Sequence, residues 1–185
     1  MKTLNISTVS TAQRVGVLSL TNKKNKKWEI TWMKELGNLL KDKSGRVYLI
    51  VVNGIIYKIG GSVDKKGILG TMGWYENSAL SGAPSARTHG IHMLVYEELK
   101  KGNNVEVYMI LSTKVEASVK GLFGEKTMMV SIDFKEMENL CKNDYFSQCG
   151  SYPQWNFQEN NQEFPKPIVE SWNEVINKSA ANRKK

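Results

Sequence analysis

Three short runs rich in β-branched and aromatic residues lie in the middle of the chain and predict β-strands. VYLIVV at 47–52 and IIYKI at 55–59 flank Asn53-Gly54, the strongest short-range signal for a β-hairpin. VEVYMIL at 105–111 alternates in polarity and predicts a third strand. The sheet is therefore expected to open with an antiparallel pair of strands.

Apolar residues recur at helical spacing in other segments, which predicts helices there. These segments are 28–41 (apolar at 28, 32, 36, 39 and 40), 85–101, the stretch after Ser112, and 134–142, with a final helix near the end of the chain. The helix expected after Ser112 would carry Val115, Glu116, Val119, Leu122 and Phe123. Gly45 is a plausible stop for the first of these helices.

Together these elements predict an α+β fold, an α/β sandwich in which a small, mostly antiparallel sheet is flanked by helices. Residues 1–44 are expected to form a basic, helical N-terminal extension and 45–142 the core. Residues 61–84, rich in Gly, Ser and Asn, are expected to interrupt that core as an insertion. Residues 143–185 are interpreted as a C-terminal tail with a terminal helix.

The Asn53-Gly54 turn is compatible with two registers, which differ in the side chains that share a face. In a two-residue type I′ loop Val52 pairs with Ile55, and Tyr57 joins Tyr48 on one face. A slip of one residue moves every side chain of the second strand to the opposite face.

In a three-residue loop with Gly54 in a left-handed G1 bulge, Val51 pairs with Ile55 and Lys58 lies opposite Tyr48. This register separates an apolar face from a partly polar one, whereas the other register places a charge among apolar side chains. We therefore favour the bulged register, with Tyr57 in the core. One surface is then lined by Arg46, Tyr48 and Lys58.

The net charge of the chain indicates the class of its binding partner. The chain has 26 Lys and Arg against 18 Asp and Glu, a net charge of +8 and a pI of about 9.4. Such an excess favours a polyanion, because phosphate contacts release counterions. We expect double-stranded DNA, bound by Lys23, Lys24, Lys26, Lys27, Arg46, Ser62, Lys65 and Lys66.

The apolar runs are short in comparison with a membrane span of about 20 residues. The N-terminus lacks the apolar core of a signal peptide. We therefore expect a cytoplasmic protein of a prokaryotic or phage-infected cell, with no membrane partner. The sequence leaves open whether it is a monomer or a homodimer.

The hairpin and the residues that follow it resemble the GIY-YIG nuclease family. Val47-Tyr48 matches the first motif and Lys58-Ile59-Gly60 the second, in a YKIG form similar to the phage and restriction-enzyme branches. The resemblance covers residues 45 to 124. The chain departs from the family pattern where Arg46 replaces the first motif's Gly, where 26 residues separate Gly60 from Arg87, and where Ile91 stands one turn after that Arg.

The resemblance implies roles for five catalytic residues. Tyr48 would be the general base or would position a water, and Lys58 would lower its pKa or contact the phosphate. Arg87 would clamp phosphate oxygens, since its planar fork binds two of them. His92 would relay a proton, with His89 as an alternate, and Tyr57 is the alternate to Lys58.

Glu116 would be the single protein ligand of Mg²⁺ (or Mn²⁺), an ion that often takes only one or two carboxylates and keeps its waters. Glu125, Glu136 and Glu138 are less well placed in the expected arrangement of elements. The resemblance thus implies a metal-dependent DNA endonuclease of phage, restriction or homing type, hydrolysing phosphodiesters at a single-metal site. The alternative is a catalytically inactive nucleic-acid-binding module.

Overall fold

The computed structural model describes residues 2–23, 26–78 and 83–182. Its centre is an antiparallel sheet of five strands: β1 (Gln13–Leu20), β2 (Trp28–Trp32), β3 (Arg46–Val52), β4 (Ile55–Ser62) and β5 (Val105–Leu111). Their order across the sheet is β2-β1-β5-β3-β4. The predicted α+β fold with a mostly antiparallel sheet is confirmed.

The described residues form four α-helices: α1 (Ile68–Glu76), α2 (Ala86–Lys100), α3 (Phe134–Cys149) and α4 (Lys166–Asn182). The helix expected over 85–101 is confirmed as α2, and its N-cap is the side chain of Ser85, which accepts from the Thr88 amide. Helix α1 lies within the expected 61–84 insertion. None of the helices in this part of the chain has the length and apolar content needed to cross a bilayer.

Both faces of the sheet are covered around β3, which explains the unbroken apolar run of that strand. Tyr48, Ile50 and Val52 pack toward α1 and α2 on one face. Val47, Leu49 and Val51 pack toward α3, where Tyr145 meets them, on the other. The site residues carried by β3 and β4 therefore rest on a buried, two-sided scaffold.

The helix expected over 28–41 is wrong. Trp28, Ile30 and Trp32 repeat every second residue, and this segment is strand β2, paired antiparallel with β1. A 3₁₀ segment, Lys34–Lys41, follows and is broken at Gly37, where φ is 38°. The period of two and the pairing with β1 outweigh the local helical spacing. Residues 13–32, expected in an N-terminal extension, thus supply two strands of the central sheet.

The favoured turn of the β3–β4 hairpin is also wrong. Val52 pairs with Ile55, and Asn53 and Gly54 have φ of 47° and 80°, as a two-residue type I′ loop requires. The bulge lies two residues further along β4, at Tyr57, which stands between the Val51–Ile56 and Ile50–Lys58 pairs.

That displaced bulge restores the predicted face of Lys58. Lys58 pairs with Ile50, so it shares a face with Tyr48, although Tyr48 itself lies opposite Gly60. Tyr57 packs against the cluster that contains Tyr48, not against the opposite one, and its ring meets Trp155 edge to face at 5.2 Å.

The helix expected after Ser112 is a β-hairpin in the structure. Strands β6 (Lys114–Gly121) and β7 (Gly124–Ser131) pair with each other and form a separate two-stranded sheet. Valine and threonine favour strands, and the glycines at 121 and 124 flank a two-residue loop. The helical spacing of Val115, Val119 and Phe123 misled the sequence interpretation because valines spaced by four also fit one face of a strand.

Candidate active site

Site residues of β3, β4, α1 and α2 meet in an open cleft of about 400 Å³ at one end of the sheet. The cleft is lined by Tyr48, Gly61, Ser62, Val63, Asp64, Thr71, Trp74, Tyr75, Arg87 and Thr88. Two predicted catalytic residues, Tyr48 and Arg87, therefore share one cavity.

Tyr48 reaches the cleft because its cross-strand partner has no side chain. A Cβ at Gly60 would collide with the Tyr48 hydroxyl, so glycine at this position allows the phenol to lie over β4. The hydroxyl is hydrogen-bonded to the Tyr75 hydroxyl at 2.6 Å. Burial raises the pKa of Tyr48 well above its ordinary value. Tyr48 is therefore a neutral phenol suited to donating or relaying a hydrogen bond, which does not favour the general-base role expected for it.

Lys58 is a buried amine on the same face. Only 5% of the residue is exposed. Burial lowers the pKa of Lys58 to about 8. About a tenth of Lys58 is therefore a neutral amine at pH 7, and this is the form that can accept a proton.

Arg87 lies at the start of α2 and is exposed in the cleft. One guanidinium nitrogen donates to the side-chain oxygen of Gln158. A guanidinium exposed in a cleft can bind two oxygens of an anion with its remaining N–H groups.

Glu138, on α3, is a carboxylate that approaches the hairpin. The sequence had placed it behind Glu116 as a metal ligand. A Cβ at Gly61 would lie only 2.6 Å from its Oε2, so the second glycine of the pair admits this side chain at the edge of β4. The Glu138 charge raises the pKa of Tyr48 and Tyr75, in each case as a smaller effect than burial. Tyr48 and Glu138 thus approach β4 from opposite faces at adjacent glycines.

An ion-pair chain holds Glu138. The Lys142 ammonium is 2.6 Å from a Glu138 oxygen and 2.6 Å from an oxygen of Glu159. Glu159 lies in the segment between α3 and α4. This arrangement orients the Glu138 carboxylate while leaving its second oxygen toward Gly61.

Glu116 is not brought to this site. It lies exposed on β6, opposite Met129 of β7, because the expected helix is absent. The position of Glu138 could be found only after α3 was known to pack on β3 and β4, since three acidic residues at 136–144 have the same local appearance.

The two histidines lie behind the cleft. His92 is fully buried, stacks on Trp28 at 5.4 Å, and donates its Nδ1–H to the Tyr75 carbonyl at 2.8 Å. Burial lowers the pKa of His92 to about 4, so it is a neutral packing residue at pH 7. His89 Nε2 shares a hydrogen bond of 3.1 Å with Ser171 on α4. Neither ring lines the cleft that contains Tyr48 and Arg87.

The described lysines of the basic run at 23–27 contact other side chains of the protein. Lys23 pairs with Glu29, Lys26 pairs with Glu76 at 3.0 Å, and Lys27 lies 4.3 Å above the Tyr96 ring. Lys24, also expected to contact nucleic acid, lies outside the described residues. The described lysines of this run have structural partners, and they lie outside the cleft lining.

Arg46 is likewise used within the fold and is fully buried. Its guanidinium donates to the Asp42 and Ser44 carbonyls at 2.7 and 2.5 Å. This geometry does not favour the expected phosphate contact, because the Arg46 donors bind carbonyls of the loop before β3 and the side chain is buried.

The other residues expected to contact nucleic acid border the cleft. Ser62 lies in its wall and shares a hydrogen bond of 2.6 Å with Thr71. Lys65 and Lys66 are exposed beside it, next to Trp74, which is 66% exposed. Cations and an exposed aromatic ring at a cleft rim are features of protein surfaces that bind nucleic acid.

The segment Tyr152–Gln162, here called the strap, contacts the elements that carry the site. Its Asn156 side chain accepts from the Ile59 amide at 3.0 Å and donates to the Ile59 carbonyl at 3.1 Å, as a neighbouring strand would. The Trp155 amide donates to the Tyr57 carbonyl at 2.8 Å. These bonds flank Lys58 and cover the exposed edge of β4.

Among the described residues, three or more His, Cys, Asp and Glu side chains do not gather into a group that could hold a metal. Glu138 directs one carboxylate oxygen toward Gly61, whereas Asp64, the carboxylate in the cleft lining, accepts from the Lys66 amide and the Trp74 indole. Mg²⁺ suits such a site, because it accepts one or two carboxylates and retains waters. The Glu138 carboxylate therefore fits a hard divalent cation that retains most of its waters.

Comparison with known proteins gives two similar solved structures. One is a mutant of bacteriophage T4 EndoII, with a TM-score of 0.49 and 18% identity over 82% of this chain and 95% of that one. The other is the restriction endonuclease HPY188I in complex with product DNA, with a TM-score of 0.45 and 20% identity over 82% of this chain and 85% of that one. No protein-family profile and no curated protein matches the chain.

Proposed function

We propose that this protein is a metal-dependent DNA endonuclease with a site of the GIY-YIG type. The observation that carries the proposal is the approach of Tyr48 and Glu138 to the adjacent glycines 60 and 61, next to Lys58 and Arg87. A hydroxyl, an amine, a guanidinium and a carboxylate are the groups that phosphodiester hydrolysis uses. The substrate class follows from the exposed Lys65, Lys66 and Trp74 at the rim.

The fixed donors orient the phosphate. Arg87 binds two non-bridging oxygens and opposes the charge that develops on them. The Tyr48 hydroxyl, held by Tyr75 at 2.6 Å, donates a hydrogen bond to the phosphate or the attacking water. A neutral phenol is the form needed for donation, in agreement with the raised pKa of Tyr48.

Lys58 is the proposed general base. Its neutral amine takes a proton from the water as the water oxygen bonds to phosphorus, and the bond from phosphorus to the 3′ oxygen breaks. Burial keeps the pKa of Lys58 at about 8, close to working pH. In this proposal Lys58 replaces Tyr48 as the proton acceptor.

Glu138 is the proposed metal ligand in place of Glu116. A bound divalent cation would supply Lewis-acid stabilisation of the phosphate and of the leaving oxygen. Lys142 keeps the Glu138 carboxylate oriented, and Glu159 balances the Lys142 charge.

The test is cleavage of supercoiled plasmid by the purified protein with Mg²⁺, Mn²⁺ or EDTA. We expect nicked or linear DNA with either metal and intact plasmid with EDTA. Arg87→Lys should lose at least about 100-fold in rate, since a point charge replaces a bidentate clamp. Retarded but uncut DNA under every divalent ion would instead identify a binding module, and absence of DNA affinity at low salt would overturn both.

A further inference from the structure

The β6–β7 hairpin ends in two uncovered apolar side chains. Leu122 and Phe123 occupy its two-residue loop and are 94% and 100% exposed. Tight hairpin loops ordinarily use Asn, Asp or Gly at these positions. An apolar pair at a loop tip is therefore unexplained by turn formation.

The base of this hairpin adjoins the cleft end of the sheet. Strand β5 ends at Leu111, which pairs with Arg46, and Arg46 pairs on its other side with Ser62 of the cleft wall. Ser112 then donates to the Ile132 carbonyl at 2.9 Å, closing the base. A duplex in the cleft would lie beside the point where the hairpin leaves the core.

The hairpin has the length to follow DNA. Each arm has eight residues, and at about 3.3 Å per residue this is about 26 Å, or roughly eight base-pair steps. Its loop presents two adjacent apolar side chains, the kind of wedge that minor-groove binders insert between base pairs. Lys120 and Lys126 lie near the tip and Lys114 at the base, against Glu116 and Glu125.

We propose that the β6–β7 hairpin is a DNA-bending arm whose Leu122 and Phe123 insert between base pairs from the minor groove. Apolar side chains inserted in this way unstack a base step and kink the duplex. The lysines of the arm bind the flanking phosphates. The inference rests on the proposed function, because it assumes a duplex substrate in the cleft.

A second copy of the chain fits the tip less well. A stable interface buries about 800 Å² on each partner, so a dimer would need the exposed Val115, Met128 and Met129 of the arm as well as the tip. The net positive charge of the arm favours phosphate over an identical positive arm, since its three lysines face only two glutamates.

The experiment compares the wild type with Leu122→Ser/Phe123→Ser, and uses Met129→Ser as the matched control, since Met129 is 58% exposed but lies away from the tip. Duplexes carrying 2-aminopurine at successive positions and dyes at both ends are titrated in EDTA, where cleavage is absent. We expect wild type and Met129→Ser to raise 2-aminopurine fluorescence and shorten the end-to-end distance. The tip variant should lose both signals and bind at least about tenfold more weakly, because the wedge contacts are lost.

A tip variant that unstacks and bends DNA like the wild type would overturn the proposal. The proposal would also be overturned if the only change in the tip variant were a smaller mass by light scattering. That result would show that the tip makes contacts between copies of the chain. If the wild type cuts plasmid with Mg²⁺ while the tip variant bends DNA normally, the proposal for the arm is overturned and the proposed function stands. If the wild type binds no duplex at all, the proposed function fails with it.

Discussion

The hydroxyl groups of Tyr48 and Tyr75 lie 2.6 Å apart, so that a residue of α1 orients the tyrosine predicted from the hairpin motif. We predict that Tyr48→Phe lowers cleavage by about 100-fold, because the donor to the phosphate or water is lost. Tyr75→Phe should lower it by about tenfold, since Tyr48 keeps its hydroxyl but loses its orientation. Single-turnover cleavage rates at saturating protein measure both effects.

Circular dichroism of both variants controls for folding, and both should remain folded, because each retains its ring. Equal rates for Tyr48→Phe and the wild type would contradict the role assigned to this hydroxyl.

Lys58 is expected to reduce the stability of the fold at neutral pH. Its pKa is about 8 in the folded chain against an ordinary value of 10.5, so the unfolded chain binds more protons between these values. Stability therefore rises with pH across that window, and below it the charged form costs about 3 kcal/mol. Lys58→Met should raise the free energy of unfolding at pH 7 by about 2–3 kcal/mol, measured by urea denaturation.

The same variant should be unable to cleave, which separates function from stability. The wild-type cleavage rate should rise with pH and level off above about 8, as the amine of Lys58 loses its proton. Activity that falls through this range would identify Lys58 as a charged phosphate ligand and not as a base.

His92 should make the fold sensitive to acid without contributing to cleavage. Its pKa is lowered by burial to about 4 from an ordinary 6.5, so the unfolded chain binds more protons between these values. Its stability contribution is lost as pH falls through this range, by about 3 kcal/mol in all. His92→Asn, which keeps a donor for the Tyr75 carbonyl, should flatten the pH dependence of urea denaturation and cut DNA within about threefold of the wild-type rate at pH 7.5.

Asn156 should link the strap to catalysis. Asn156→Ala leaves the Ile59 amide and carbonyl without their partners, at a cost of about 1–3 kcal/mol in the free energy of unfolding. The bulge that carries Lys58 should then loosen, so kcat should fall more than DNA affinity. Asn143→Ala, at an exposed position of α3, is the matched control and should leave both unchanged. A loss of stability with an unaltered kcat would limit Asn156 to a structural role.

The sequence could predict elements whose signals are local. The hairpin around Asn53-Gly54, strand β5 and helix α2 have turn residues, β-branched runs or caps of their own. The face shared by Tyr48 and Lys58 was also predicted correctly, but through the wrong turn. The actual bulge at Tyr57 depends on the strap, because the Trp155 amide binds the Tyr57 carbonyl from about a hundred residues away in the sequence.

The remaining features depend on distant partners. Strand β2 has helical spacing as well as a period of two, and its pairing with β1 decides the outcome. Glu138 differs from its acidic neighbours only in facing Gly61, a relationship fixed by the packing of α3 on the sheet. The imidazole of His92 is chemically suited to catalysis, but its burial beside Trp28 makes it a packing residue.

The central claim is that Glu138, and not Glu116, is the metal ligand of the site. Its most direct test is Mg²⁺-dependent plasmid cleavage by Glu138→Gln and Glu116→Gln, with duplex affinity measured in EDTA for each. We predict that Glu138→Gln loses at least about 1,000-fold in cleavage rate with unchanged affinity, while Glu116→Gln cuts like the wild type. Full activity of Glu138→Gln, or loss of cleavage in Glu116→Gln, would contradict the account.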